Sequence, residues 1–139
     1  MNVENIKFRG KRKDNGEWVY GDLIHYDNND IRILEPNQRL RDIEEASYEV
    51  IPETVGRYMG KKEEGDEEIY EGDILGEGDE VFAVVLYDNK LKKFGLLYPD
   101  YSEISRDIVP DMYYYWRYRN WGVIGNIYDN PELLRGNNQ

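Results

Sequence analysis

Cysteine is absent from the 139-residue sequence, and histidine occurs once, at His25. With no thiols there can be no disulfide, no thiolate nucleophile and no Cys-ligated zinc site, and nothing ties the chain to an oxidising compartment, so the cytoplasm is the expected location. Alanine, the strongest helix former, is confined to Ala46 and Ala83. The longest apolar run, Val81 to Tyr87, falls far short of the ~20 residues that cross a bilayer, and the opening MNVENIKFRGKRK lacks the apolar core of an export signal. No membrane association is therefore expected. Phosphate-binding glycine loops, dinucleotide fingerprints, zinc spacings and nucleophile elbows are missing as well.

What is present suits pleated structure. Apolar residues make up 40% and aromatics 14% of the chain, with 13 tyrosines, and Val, Ile, Tyr and Trp fit half-buried strands better than helices. The length allows one ordinary core or two very small ones. The net charge of −11 is local in origin. Ten acids and no base lie between Glu63 and Glu80, leaving 29 − 10 = 19 acids against 18 bases in the remainder. Such a surface repels phosphate backbones as a whole, while a basic face elsewhere on the molecule stays open.

Turn-forming residues cut the chain into short pieces. Asp14-Asn15-Gly16 separates a basic strand from EWVYGDLIHY, and an Asn-Gly step accepts positive φ at little cost, the mark of a hairpin. Asp27 to Asp30 precede a third strand, Ile31 to Leu34. Pro36 to Ala46 reads as a polar loop with one helical turn. Strands resume at Tyr48–Ile51, Thr54–Tyr58, Ile69–Leu75, Val81–Tyr87, Phe94–Tyr98, Met112–Arg119 and Gly122–Ile127. Asn130-Pro131-Glu132 fits the N-cap and first turn of a short terminal helix carrying Leu133 and Leu134. Tyr20-Gly21-Asp22-Leu23-Ile24 is echoed by Tyr70 to Leu75, as a duplicated small barrel would produce. The expected fold is mainly β: small barrel-like, SH3-like subdomains built from antiparallel hairpins, residues 1–60 and 61–139, packed as one compact unit with a short C-terminal helical turn.

Four blocks, FRGKRKDNGEWVYGDLI (Phe8 to Ile24), PETVGRYMG (Pro52 to Gly60), EIYEGDIL (Glu68 to Leu75) and VIGNIYDNPELL (Val123 to Leu134), follow one another in the order and spacing of the YopX-like phage proteins, which the chain resembles over nearly its whole length. The resemblance implies a phage or prophage origin, hence a bacterial host cytoplasm, and an all-β fold. It implies no active site or cofactor. Met59 stands where the family pattern often has Thr, which predicts altered local packing and no lost chemistry.

Candidate sites follow from charge and aromaticity. His25 faces away from Ile24 and Tyr26 and has no partner at a recognisable triad spacing, so it reads as structural or solvent-exposed. The acidic stretch lacks the ligand order of a calcium loop and reads as solvated, with Glu63, Glu64, Asp66 and Glu67 as an acidic contact loop for a basic protein. No catalytic, cofactor or metal residues are expected. Alternate aromatics of segment 113–121 fit a thin core with cross-strand cation–π pairs, and whatever part of Tyr113, Tyr115, Trp116, Arg117, Arg119 and Trp121 that core leaves exposed is the candidate interaction surface. The leading expectation is a non-enzymatic module that binds another protein or a second copy of itself. The alternative is a single-stranded nucleic-acid binder that uses the basic N-terminal hairpin and the Arg/aromatic segment 113–121.

Overall fold

In the computed structural model, residues 3–36, 42–61, 67–90, 92–97 and 122–136 are described. They form two antiparallel sheets with few helical turns, and the chain divides into two compact units, Met1–Tyr58 and Met59–Gln139.

The first unit is a meander whose corners are set by the turn residues. β1 (Phe8–Lys11) and β2 (Trp18–Asp27) pair with Gly10 opposite Val19 and Lys11 opposite Trp18. Gly16, at φ +74°, closes the connecting loop: Gly16 N–H donates to the Arg12 carbonyl and Arg12 N–H to the Glu17 carbonyl. β3 (Asp30–Leu34) and β4 (Ser47–Glu49) continue the meander, with one helical turn, α1 (Ile43–Ala46), between them. After a 3-10 turn at Pro52–Thr54 the chain enters β5 (Gly56–Lys61), which returns to β1 and gives the order β4-β3-β2-β1-β5.

The sheet curls until Arg12 and Val50 form an isolated antiparallel bridge, with Ile51 N–H donating to Lys11 O and Lys13 N–H to Glu49 O. The described ladders stop short of a closed barrel. Thr54 fixes this seam, its hydroxyl oxygen accepting from Lys11 N–H at 2.9 Å while donating to Ile51 O at 2.6 Å. Val19, Ile33 and Val50 fill the concave side, with Phe8, Ile31, Tyr48 and Val55 around them. Gly10 lies so close to Val50 that a Cβ there would sit 3.0 Å from the valine Cβ.

In the second unit β6 (Glu68–Tyr70) and β7 (Asp73–Glu77) are separate strands. The sequence reads Ile69 to Leu75 as one. The break comes from Gly72, at φ +96°, and from the buried Asp73 carboxylate, which accepts the Tyr70 N–H at 2.8 Å and locks the turn. β8 (Glu80–Asp88) and β9 (Lys93–Leu97) complete a hairpin series, and β10 (Gly122–Asn126) adds on the other side, giving β10-β7-β8-β9. One face of apolar side chains gathers Ile69, Leu75, Ala83, Val85 and Leu96 with Met59, Phe82, Phe94 and Val123. The other gathers Ile74, Val81 and Val84, covered by Leu133 and Leu134 of α2 (Glu132–Gly136). β7 and β8 are thus apolar on both faces, which explains their unbroken hydrophobic stretches.

The terminal turn is built differently from the expected cap. Asn130 Oδ1 reaches back to the Asn126 N–H at 3.2 Å, away from the helix, while its carbonyl accepts from Leu133 N–H. The echo between the two halves also has no structural counterpart: Gly21 lies within β2 and Asp22 is exposed, whereas Gly72 is in a turn and Asp73 is buried.

Candidate functional site

On β1, strand alternation sends Phe8 and Gly10 to the core and Lys7, Arg9 and Lys11 to the opposite face. That face carries the aromatic partners of the basic run. The Lys7 ammonium lies 4.5 Å from the centroid of the Tyr58 ring, and the Arg9 guanidinium and Lys11 ammonium approach Trp18 at 4.6 and 5.7 Å. Arg12, on the seam, covers Tyr48 at 4.2 Å, and Arg32 of β3 covers Tyr26 at 5.1 Å. Such stacks hold a cation against the negative face of a ring, and they are weakest where both groups stay in water. Three of the cations flanking these strands are also matched to carboxylates: Arg12 with Asp14 at 2.6 Å, Lys13 with Glu49 at 2.9 Å and Arg32 with Asp30 at 2.8 Å. The hydrogen bond from Arg12 holds the Asp14 carboxyl below its ordinary pKa, and the hydrogen bond that Lys13 donates to Glu49 raises the Lys13 pKa. The basic run is therefore largely invested in holding its own strands.

β2 offers a different surface. Beyond Gly21 its side chains stand out on both faces, and Tyr20, Leu23 and Tyr26 keep 42%, 39% and 46% of their surface exposed. Large apolar groups on a strand this open are the feature that most needs an explanation. Gly21 sits buried between exposed Tyr20 and Asp22, packed so closely on β3 that a Cβ there would lie 2.0 Å from the Leu34 carbonyl oxygen. The Tyr26 hydroxyl meets Glu44 Oε2 at 3.5 Å, and the Glu44 charge raises its pKa, with partial desolvation and Asp42 adding to the effect. The signal for this surface was already in the sequence: Leu23, Ile24 and Tyr26 break the alternation a half-buried strand needs.

The residues singled out from the sequence are distributed unevenly. Tyr113, Tyr115, Trp116, Arg117, Arg119 and Trp121 lie outside the described residues, as do Glu63, Glu64 and Asp66. Glu67 is described and half-buried, with its Oε1 accepting the Val123 N–H at 3.1 Å at the start of β10. His25 is exposed opposite Ile31. Among the described residues no group of three or more His, Asp or Glu side chains is placed to hold a metal ion, and no helix is long and apolar enough to cross a membrane.

The sequence blocks that carry the family pattern prove to be the corners of this architecture. The first holds Gly10, Gly16 and Gly21; the second holds Thr54; the third holds the Gly72 turn and Asp73. In the fourth, Asn126 Oδ1 accepts from Tyr128 and Asp129, and the Asn130 side chain occupies the space that a Cβ on Gly125 would take, 2.6 Å away. A family model described as YopX protein matches residues 7–135. The chain belongs to the YopX family. No curated protein and no solved structure matches it. In this YopX-family chain the motifs thus specify turns and seams, while the exposed side chains of β2 begin inside the first block, at Tyr20 and Leu23, and continue past it to Tyr26.

Proposed function

We propose that this YopX-family protein is a non-enzymatic interaction module of phage or prophage origin, acting in the bacterial cytoplasm by binding another protein or a second copy of itself. The observation that carries this reading is the exposure of Tyr20, Leu23 and Tyr26 along β2. Aromatic and apolar groups held on a rigid strand lose little conformational entropy on docking and commonly anchor protein interfaces. Recruitment is tested by affinity capture from prophage-carrying host extract, comparing the parent protein with Leu23→Ser/Tyr26→Ser, and self-association by sedimentation of the same pair. The expected outcome is one reproducible partner, or a self-association step, that the double substitution weakens by an order of magnitude, as the loss of ~1.4 kcal/mol would. Equal capture and equal sedimentation by both proteins would count against the reading.

A second reading, binding of single-stranded nucleic acid, is favoured by Lys7, Arg9 and Lys11 sharing a face of β1 with Trp18 and Tyr58 beside them. It is the weaker of the two, because bases stack on open aromatic faces and these rings already have the protein's own cations over them. A fluorescence titration with oligonucleotides across a salt series separates the readings. Micromolar binding that weakens steeply with salt would reverse the order.

A further inference from the structure

We infer that the Asn15-Gly16 step of the β1–β2 loop is a site of spontaneous backbone modification in the folded protein, converting Asn15 through a succinimide to aspartyl and isoaspartyl forms. It is the one Asn-Gly step in the sequence. Succinimide formation needs the backbone nitrogen of the following residue to reach the carboxamide carbon, and glycine is the residue that obstructs this least. Both residues are exposed, and among the described residues beyond its two chain neighbours nothing comes within 4 Å of where a Cβ on Gly16 would stand.

The local hydrogen bonding turns the side chain back along the loop. Asn15 Oδ1 accepts the Glu17 N–H at 2.9 Å. This Asx-type bond bends the carboxamide over the Asn15–Gly16 peptide and draws electron density from its carbonyl. The restraint on the reaction is the Gly16 N–H, which donates to Arg12 O at 2.9 Å. Only that bond must open to free the nucleophile, and an exposed loop opens locally at small cost without global unfolding.

The Gly16 nitrogen then gives up its proton and bonds to Cγ of Asn15. The Cγ–Nδ2 bond breaks, ammonia leaves, and the five-membered imide closes. Water adds to either imide carbonyl, giving an aspartyl residue by one opening and an isoaspartyl residue by the other; no oxidant or enzyme is required.

Other asparagines are less able to follow. Asn130 precedes Pro131, whose nitrogen carries no proton, and Asn126 has its side-chain oxygen held by two N–H groups ahead of the branched Ile127. Asn89 is exposed but precedes Lys90. Modification would add a carboxylate between Asp14 and Glu17 and, in the isoaspartyl form, lengthen the backbone inside the loop. Both changes act on Arg12, which covers Tyr48 and bridges Val50.

The test incubates the native protein in mildly alkaline buffer, maps its peptides by mass and probes isoaspartate with an isoaspartyl methyltransferase. The expected result is a growing amide-to-acid mass change and methyl acceptance confined to the peptide containing Asn15, lost in Asn15→Gln and retained in Asn89→Gln. An unchanged Asn15 peptide, faster change at another asparagine, or change only after unfolding in urea would each overturn the inference.

Discussion

The two units hold small sheets together by opposite means. In Met1–Tyr58 the described apolar interior is small, centred on Val19, Ile33 and Val50, and much of the cross-strand holding is polar and peripheral: cations laid over Trp18, Tyr26, Tyr48 and Tyr58, and the Lys13–Glu49 ion pair. In Met59–Gln139 the described interior is larger and lies on both faces of β7 and β8, and the polar groups that matter are pulled inward to fix turns, Asp73 above all. A small core leaves little hydrophobic stabilisation in reserve, so aromatic and charged pairs across strands carry more of the load. Binding surface and structural stitching then compete for the same side chains in the first unit, which is why the open part of β2, rather than the basic run, is the better candidate for contact.

The largest effect expected on this contrast comes from one glycine in each unit. A methyl at Gly21 would overlap the Leu34 carbonyl at 2.0 Å on a backbone with φ +156°, while one at Gly76 would overlap the Glu80 carbonyl at 2.1 Å and Ile124 at 2.8 Å. Gly21→Ala and Gly76→Ala should each cost on the order of 3 kcal/mol or more, a large share of a small domain's stability. Hydrogen exchange read separately over β1–β4 and β7–β9 should show the loss concentrated in the unit that carries the change. Protection falling equally in both units for both variants would break the comparison.

Next in size is Asp73→Ala. It strips the buried Tyr70 N–H of its acceptor, a loss of about 1–3 kcal/mol in urea unfolding. Asp14→Ala, the counterpart among the exposed pairs of the first unit, should shift the midpoint far less, because exposed ion pairs are screened.

How much of this was legible in the sequence depended on what the chain used as punctuation. Asn15-Gly16, Asn28-Asn29 and Asp88-Asn89 placed hairpins at or within a residue or two of their observed corners, because positive φ and Asx bonding act locally. The break at Glu71-Gly72 was masked, since Ile69, Tyr70, Ile74 and Leu75 read as one apolar run, and it takes the positive φ of Gly72 together with the inward turn of the Asp73 carboxylate to divide them. Asn130 was misread for a related reason: its cap-like position was visible, but its true partner, the Asn126 N–H, is a tertiary choice made by the Gly125 corner. For the candidate surface the sequence carries the broken alternation at Leu23, Ile24 and Tyr26, which flags an unusual strand without saying which of its side chains stay exposed. Leu23 and Tyr26 are exposed where β2 has run past the end of β1 and keeps only β3 beside it, a matter of which strand ends where, while Tyr20 is exposed although it still pairs with Arg9.

A smaller effect, of opposite sign, is expected at the tip of the β7–β8 hairpin. Glu77 and Glu80 stand directly opposite across the Gly78-Asp79 turn, both exposed. Like charges in that position repel, so Glu77→Lys should raise stability by about 0.2–1 kcal/mol at low salt, with the gain shrinking as salt is added. The first unit has no such gain to offer at Lys13 and Glu49, which are already matched.

The smallest expected effect is a pH dependence confined to the first unit. Asp14 has its pKa lowered in the folded state, first by the hydrogen bond from Arg12. The unfolded chain therefore binds this proton more readily than the folded one. The contribution is complete above the ordinary aspartate range and disappears as pH falls through the lowered folded-state value. Asp14→Asn should flatten the acid limb of the first unit's stability profile slightly while leaving neutral-pH stability nearly unchanged, since the Asp14 side of the pair is open to water. The same substitution should leave the acid response of β7–β9 where it was, because the carboxylates there report on turns built from other residues. An acid limb that moved in both units alike would mean that the peripheral pairs of the first unit are not its own.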